Sequence, residues 1–507
     1  MISILNKNRN LIEKIYVALV IAALVVIYVL KFYTAIKWPF LQEYREMTMI
    51  KFAEEFARGV NPYSLKALES EIPQVTSVYG VLPALMCAPF VFIFTKIGVS
   101  ALIVCRVLTL AVEVLCLVLV GKTLEITSGK EYISVSGMAL TAACFWRYRA
   151  FGGAFPDQWG MFMNFLLMYL VIRDEKREQY EPVKYAAILV GCFYVKQYFV
   201  FSVIGLLVYM FIHSKKDLIR LIYWGAGLTI ASLIIVQLVF PLYLSEALPI
   251  SQGSTESFGF GWSIGQVVFI ARHYFLVPIL VTFGVLVYNR VPGTKSYALL
   301  QIICIFPLVL VIARNSGTYA TYWLQLWFIY VVIVIMQIVA DVPYVIPMIT
   351  TVLFMYQCRS ILIEKPHDGA CFNSWQEAYD TLDELGADGN ILADAHFSLY
   401  LQNHGIETSE YGQCEYSGEG SLNNVRESAL WSKFPYAIKI LEKNIAYENT
   451  VREKLKKHEY SVVAFSTIYH YTISDEELSE YGYKMVKRTD LEAGNLVLDT
   501  YFWVPEE

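Results

Sequence analysis

The chain has 507 residues, of which 56 % are hydrophobic and 17 % are charged, and its mean hydropathy is +0.47. Soluble globular proteins average about 25 % charged residues, so this composition excludes an ordinary soluble enzyme and a disordered chain. Residues 1–363 carry 28 Lys and Arg against 19 Asp and Glu, whereas residues 364–507 carry 12 against 26. We therefore predict a membrane domain over 1–363, an acidic water-exposed domain over 364–507, and no nucleic-acid partner.

The first apolar segment, residues 15–35, follows three basic residues and has no cleavage site made of small residues. It is typical of a retained membrane anchor with a cytoplasmic N-terminus. Further apolar segments of membrane length or slightly less lie at 79–97, 101–120, 132–147, 158–172, 184–195, 198–213, 219–243, 266–288, 297–313, 319–340 and 344–363.

Segment 79–97 decides the topology. If it crosses the membrane, the five Lys and Arg residues at 122, 130, 173, 176 and 177 lie outside; if it stays in the outer leaflet, they lie inside. The positive-inside rule favours the second arrangement. We therefore predict a mainly α-helical bundle with about eleven crossings of the cell membrane, a first external loop over residues 38–100, and an extracytoplasmic C-terminal α/β domain.

The first external loop is rich in acidic residues. Its segment QEYREMTMIKFAEEFARG has apolar residues at helical spacing, which predicts an amphipathic helix that ends at Gly59. Glu43 and Glu46 are three residues apart, so one helix face can carry both carboxylates. Surface acids explain most of this loop, but Glu43 lies at the mouth of the first membrane helix.

A second external loop, RYRAFGGAFPDQWG, contains Arg147, Arg149 and Asp157. Asp157 follows Pro156 at the start of the next membrane helix, where a carboxylate caps free N–H groups. An ionisable residue at the membrane is also a functional candidate. The two roles are compatible, and both stay open here.

Several basic and polar residues lie on the outer side against the charge trend. They are Lys196-Gln197, Arg272-His273, Arg314-Asn315 and the tyrosines at 319 and 322, and no acidic residue lies between Glu256 and Asp341 to pair with them. Converging Lys and Arg residues predict an anionic ligand, for which the phosphate of a lipid is the natural candidate. His273 alone fits a packing role better than catalysis.

At this point the motifs resemble those of the GT-C superfamily of membrane glycosyltransferases. The resemblance rests on the run from Glu43 to Tyr63, on Tyr79-Gly80-Val81-Leu82-Pro83, on Phe155 to Gly160, on Lys196-Gln197 and on Asn315 to Trp323. It covers about residues 10–350, and each motif is short. The resemblance implies transfer of a sugar from a polyprenyl-phosphate-linked donor to an extracytoplasmic acceptor, which is a glycan, a lipid or a protein.

The resemblance also implies roles for single residues. Glu43 takes the position of the catalytic carboxylate, Glu46 replaces it if the register is shifted, and Asp157 takes the second acidic position. Phosphate of the donor would contact Lys196, Arg272, Arg314, Arg147 and Arg149, and substrate would contact Gln197, His273, Tyr322 and Tyr79. Because the family's paired acids are single here, the need for a divalent cation, Mg²⁺ or Mn²⁺, stays open.

The alternative function is a transporter or flippase of an anionic lipid or a lipid-linked glycan. It predicts charged residues near the middle of the bilayer and an internal repeat, and we recognise neither in the sequence. In the C-terminal domain, strands are predicted at 390–394, 460–466 and 496–504, and helices from Ser374 to Leu385, at 433–443 and at 448–457. Asp394 and His396 have no ligand spacing, so we interpret them as surface residues.

Overall fold

The computed structural model describes residues 8–42, 45–71, 79–145, 153–250, 258–288, 297–314, 321–358, 369–386, 390–406, 419–434, 436–466, 473–493 and 496–506. Among the residues named above as candidates for the site, Glu43, Arg147, Arg149, Asn315 and Tyr319 lie outside these ranges.

The described part of residues 9–357 is almost wholly helical. Its helices are α1 Arg9–Lys37, α2 Glu46–Ala57, α3 Leu82–Thr95, α4 Ala101–Ser128, α5 Glu131–Ala142, α6 Pro156–Lys176, α7 Pro182–Val195, α8 Ser202–His213, α9 Lys215–Val239, α10 Gly259–His273, α11 Leu276–Tyr288, α12 Tyr297–Ile312, α13 Ile329–Val339 and α14 Val345–Gln357. A π-helical turn at Trp323–Phe328 leads into α13, and a 3₁₀ turn at Gln197–Phe201 joins α7 to α8.

In the described part of the chain, three helices are long and apolar enough to span a membrane, namely α1, α4 and α9, and the pair α10–α11 makes a fourth if it counts as one span. Shorter apolar helices of 10–17 residues make up much of the rest. Only 6 % of the most apolar 18-residue stretch of α9 is buried within the protein. Such an exposed apolar helix is disfavoured in water and fits contact with lipid.

The helices run between two opposite faces of the bundle. On the first, the Arg9 face, the guanidinium of Arg9 at the start of α1 lies 5.4 Å from the ring centroid of Tyr344, just before α14. On the second, the Arg106 face, Arg106 of α4 donates to the carbonyls of Trp38 and Phe40, just beyond the end of α1. The helices α1 and α4 are therefore antiparallel.

Both ends of α3 lie on the Arg106 face. Gly80, two residues before α3, donates its N–H to the Val195 carbonyl at the end of α7 at 2.9 Å. After Thr95 a short connection leads directly to the start of α4, and Arg106 lies in the second turn of α4. The helix α3 also packs against α2, which follows the Trp38–Gln42 segment at this face.

The apolar segment 266–288 was predicted as one membrane helix, and that prediction is wrong. It is split between α10 and α11, whose axes differ by 85°. Phe258, before α10, donates its N–H to the Arg314 carbonyl after α12, and Gln357 at the end of α14 donates to the His273 carbonyl. Since α14 starts at the Arg9 face, its end at Gln357 lies on the Arg106 face. The helix α10 therefore lies along that face, and only α11 runs into the bundle.

The C-terminal part is a small α/β domain. Its elements are α15 Gly369–Gly386, β1 Asn390–Ala393, α16 Ser398–Asn403, α17 Glu419–Glu427, α18 Ala437–Lys456, β2 Tyr460–Ser466, α19 Asp475–Glu480, β3 Tyr483–Ala493 and β4 Leu496–Pro505. The sheet order is β1-β2-β4-β3; β1 and β2 are parallel, and β4 is antiparallel to both its neighbours.

The three predicted strands are confirmed, but other details of this domain differ from the prediction. The helices expected at 433–443 and 448–457 form the single helix α18. The helix α15 begins before Ser374, whose hydroxyl donates to Cys371 O instead of capping the helix. Strand β3 was not predicted. Its run of charged residues, Lys484 to Glu492, obscures the strand pattern because most side chains from 484 to 490 are exposed.

The interpretation of Asp394 and His396 as surface residues is wrong, because both side chains are buried. Asp394 Oδ2 accepts the backbone N–H of Ser466 at 2.6 Å, and Oδ1 accepts that of His396 at 2.9 Å. Ser466 Oγ lies 3.0 Å from His396 Nδ1. The carboxylate thus joins the ends of the parallel strands β1 and β2, which is a structural role.

Candidate functional site

Two residues of opposite charge from different segments of the chain meet inside the bundle. Lys196 Nζ lies 2.8 Å from Asp157 Oδ1, and only 1 % of Asp157 and 6 % of Lys196 is exposed. Three tyrosine rings surround the ammonium group, with centroids 5.1 Å away for Tyr79, 5.9 Å for Tyr198 and 5.0 Å for Tyr322. We call these five residues the Lys196 site.

Local sequence explains why the two charged groups meet. Pro156 occupies the first position of α6, where its missing N–H costs nothing, and this places Asp157 in the first turn. A carboxylate is favoured there by the free N–H groups of the helix end. Lys196 directly follows α7 in an extended conformation, with φ −167° and ψ 129°. The helix is therefore interrupted at Lys196, between α7 and the following 3₁₀ turn, and this extended residue directs its side chain into the bundle.

The tyrosines are positioned by three separate segments. Gly80 allows the backbone beside Tyr79 to pack directly against the end of α7. Any Cβ at this position would lie only 1.8 Å from the Tyr194 carbonyl oxygen. Tyr322 precedes the π-helical turn at Trp323–Phe328, and π-helical segments are frequent at functional sites. Tyr198 belongs to the 3₁₀ turn after Lys196, and its ring contacts that of Tyr322 at 4.9 Å.

Glu46, the second candidate for the catalytic carboxylate, is held in an ion pair away from the Lys196 site. Arg106 Nε and Nη2 each lie 2.8 Å from one Glu46 oxygen, and both side chains are 0 % exposed. The backbone N–H groups of Gln42 and Ala154 complete the contacts of this carboxylate. Since each oxygen already accepts two hydrogen bonds, the geometry favours a structural role for Glu46.

This ion pair brings the two predicted acidic segments together. Ala154 lies three residues before Asp157, and its N–H donates to Glu46 Oε1 at 2.8 Å. Gln42, the residue before Glu43, donates its N–H to Glu46 Oε2 at 2.9 Å. Glu46 therefore accepts hydrogen bonds both from Gln42 and from the segment that carries Asp157.

A buried ionic cluster deeper in the bundle was missed by the sequence analysis. Glu113 of α4 accepts from Lys31 of α1 at 3.1 Å, from Tyr28 at 3.3 Å and from Gln158 at 3.3 Å. Glu113 lies seven residues, or about 10 Å, along α4 from Arg106. The statement that no charged residues lie deep in the membrane segments is therefore wrong. The available signal was a Lys and a Glu within two apolar runs.

Of the other basic candidates, the structure describes Arg314 and Arg272, and neither is among the five residues of the Lys196 site. Arg314 lies over the Phe260 ring at 4.6 Å, near the start of α10. Arg272 is twelve residues further along this helix, so about 18 Å separates their positions along it. Arg272 and His273 are both exposed, and His273 Nδ1 lies 2.9 Å from the carbonyl of Phe269 in its own helix. The exposed position of Arg272 and His273 suits contact with lipid headgroups.

Gln197 has a contact of its own beside the Lys196 site. Its side-chain amide donates to Ala247 O at 2.9 Å. The contact connects the turn after α7 to the π-helical segment Glu246–Ile250. Gln197 thereby holds the backbone next to Lys196 in place.

The chemistry of the Lys196 site suits an anion. An ammonium group binds phosphate oxygens, and phenol hydroxyls donate hydrogen bonds. Among the described residues, no three His, Cys, Asp or Glu side chains are placed to hold a metal ion. Asp157 Oδ1 is already paired with the Lys196 ammonium at 2.8 Å. The buried ammonium inside three tyrosine rings therefore fits an anionic ligand.

Comparison with solved structures gives the class of fold. The chain has the fold of the GT-C membrane glycosyltransferases, as the sequence motifs indicated. It is similar to ArnT from Cupriavidus metallidurans bound to undecaprenyl phosphate, with a TM-score of 0.55 and 11 % identity over 96 % of this chain and 98 % of that one.

The fold is also similar to that of the arabinofuranosyltransferase AftD from Mycobacteria, with a TM-score of 0.50 and 11 % identity over 97 % of this chain. The match covers 40 % of AftD, so this chain spans less than half of its length. No protein-family model and no curated protein matches the sequence.

Proposed function

We propose that the chain transfers a sugar from a polyprenyl-phosphate-linked donor to an extracytoplasmic glycan, lipid or protein. The observation that carries the proposal is the buried Asp157–Lys196 pair inside three tyrosine rings, in a chain with the GT-C fold. The related ArnT structure holds undecaprenyl phosphate. A buried lysine ammonium is suited to bind the phosphate of such a lipid.

In the proposed reaction, the Glu43 carboxylate accepts the proton of an acceptor hydroxyl. The hydroxyl oxygen then forms a bond to the anomeric carbon of the donor sugar, and the bond from that carbon to the phosphate oxygen breaks. The leaving group is the polyprenyl phosphate. The contacts of Glu46 with Gln42 and Ala154 support this assignment because they bring the Glu43 segment close to the Asp157 segment.

Lys196 has the second role in this reaction. Negative charge develops on the phosphate oxygen as the bond to the sugar breaks, and a fixed ammonium group stabilises it. Asp157 holds the ammonium in place before the donor binds. Tyr79 and Tyr322 line the same position and supply hydroxyl donors and ring faces for the donor.

We further propose that residues 1–363 form the membrane domain, that eleven helices cross the membrane, and that residues 364–507 lie outside the cytoplasm. The crossing helices are α1, α4–α9 and α11–α14. The position of both ends of α3 at the Arg106 face and the course of α10 along that face support this count. The Arg106 face is then the outer face, and it carries the C-terminal domain.

Cysteine labelling tests this topology. In the eleven-crossing arrangement, a cysteine in Lys176→Cys at the exposed end of α6 lies inside, so a membrane-impermeant maleimide should label it only after permeabilisation. With twelve crossings, intact cells would label it. Glu69→Cys and Arg9→Cys are the outer and inner controls, and labelling of the parent chain with its nine cysteines is subtracted.

The proposed reaction is tested by transfer from a radiolabelled polyprenyl-phosphate sugar pool in membranes. At equal expression, we expect Glu43→Gln and Asp157→Asn to lose transfer, by about 10²-fold or more for the base. Glu69→Gln changes an exposed acid of the same loop and should transfer at the wild-type rate. Normal transfer in both site variants would show that the site is assigned wrongly. Export of labelled lipid without any transfer would favour a transporter.

A further inference from the structure

We propose that the C-terminal domain positions the segment leading into Glu43, so that transfer requires its docking on the first loop. This inference rests on the proposed function, because it concerns the residue proposed as the base. The described segment Trp38–Gln42 contains no helix or strand, yet it leads from the end of α1 directly to Glu43. Its position must therefore be set by contacts with other parts of the chain.

The membrane domain contacts this segment from one side. Arg106 donates to the Trp38 carbonyl at 2.8 Å and to the Phe40 carbonyl at 2.7 Å, and it pairs with Glu46 at the end of the segment. One buried guanidinium therefore contacts two backbone carbonyls of this segment and the side chain of Glu46 beyond it. Arginine suits this role because its planar group donates in several fixed directions.

The C-terminal domain contacts the same segment from the other side through α15. The Phe40 ring stacks on Trp375 at 5.7 Å with an interplanar angle of 17°, and its edge contacts Tyr379 at 5.1 Å. Phe372 of α15 lies 5.3 Å from Phe40 and 6.1 Å from Trp38. We call these five residues the aromatic cluster. Such ring pairs stabilise the contact beyond the free energy of burial, and they fix the orientation of the rings relative to one another.

Other contacts hold the C-terminal domain on the rest of the first loop. Lys443 Nζ of α18 donates to Ala67 O at 2.9 Å and to Ser70 Oγ at 3.2 Å, and burial lowers the pKa of this ammonium. Gln402 of α16 donates to Glu54 of α2. The domain therefore contacts the loop before and after Glu43. A domain that served only solubility would need none of these contacts.

The test compares Trp375→Ala with Trp503→Ala in the purified full-length protein. Trp503 is a buried tryptophan in a second core of the same domain, away from the first loop. We expect kcat for transfer to fall at least about tenfold in Trp375→Ala, since small displacements of a reacting group are costly. The KM for donor should stay within about twofold, because the Lys196 site is intact. Trp375→Phe should restore most of kcat, and Trp503→Ala should keep it.

Hydrogen exchange of the backbone amides of residues 38–46 provides a readout independent of activity. Exchange should increase in Trp375→Ala and stay at the wild-type level in Trp503→Ala. Unchanged exchange in Trp375→Ala, or wild-type kcat in that variant, would overturn the positioning role. If wild type itself transfers no sugar, the proposed function fails, and the exchange result still decides whether the domain orders this segment.

Discussion

The variant Lys196→Ala should lose transfer from a polyprenyl-phosphate-linked donor by about 10²–10³-fold, the usual effect of removing one group that stabilises developing charge. The ammonium is the cation at the centre of the Lys196 site, where it lies 2.8 Å from Asp157 and about 5 Å from the nearest ring centroids. Its removal also leaves the Asp157 carboxylate buried without a countercharge. Initial rates of sugar transfer at saturating acceptor measure the effect.

Two further variants separate loss of chemistry from loss of folding. Lys184→Ala removes a lysine whose side chain is 56 % exposed and whose partner is Glu181, so transfer should stay at the wild-type rate. The double variant Lys196→Met with Asp157→Asn removes both charges together. It should be more stable than Lys196→Ala, which leaves Asp157 unpaired, but should still lack transfer. Wild-type transfer by Lys196→Ala would contradict the role proposed for this site.

The second large effect is expected for stability. The variant Arg106→Ala should lower the free energy of unfolding by about 3–5 kcal/mol, because it leaves Glu46 charged and buried without its partner. It also removes the donors to two backbone carbonyls. Thermal unfolding in detergent, followed by tryptophan fluorescence, measures the loss as a lower midpoint.

The matched control for this prediction is Arg426→Ala. Arg426 and Glu442 form an ion pair at 2.7 Å in which both side chains are 49 % exposed, so its loss should cost less than about 1 kcal/mol. Arg106→Lys should fall between the two, since lysine keeps the charge but lacks the fork that contacts both Glu46 oxygens. Equal midpoints for Arg106→Ala and Arg426→Ala would contradict a structural role for the pair.

Much of the Lys196 site could be predicted from the sequence because its residues interrupt apolar patterns. Asp157 follows a Pro at a helix start, and Lys196 lies between two short apolar runs. The structure brings both together with Tyr79 and Tyr322, which the motif resemblance had also indicated. Their roles in a reaction stay predictions, to be tested by the variants above.

Pairing across the fold could not be predicted in the same way. The spacing of Glu43 and Glu46 gives no sign that Glu46 pairs with Arg106, sixty residues further along the chain. Arg106 lies within the long apolar run of α4, where a single charge gives no sign of its partner. The break after His273 was missed because both halves of the segment are apolar, so hydropathy alone cannot separate an interfacial helix from a crossing helix.

The most direct test of the proposed function is release of polyprenyl phosphate by the purified chain in lipid nanodiscs. A radiolabelled polyprenyl-phosphate sugar is supplied with membrane extracts as the source of acceptor, and both the free lipid phosphate and the sugar-bearing product are quantified. We predict that wild type releases lipid phosphate in step with product, and that Asp157→Asn releases neither. If wild type leaves every donor intact and undecaprenyl phosphate does not bind to it, the glycosyltransferase assignment is contradicted.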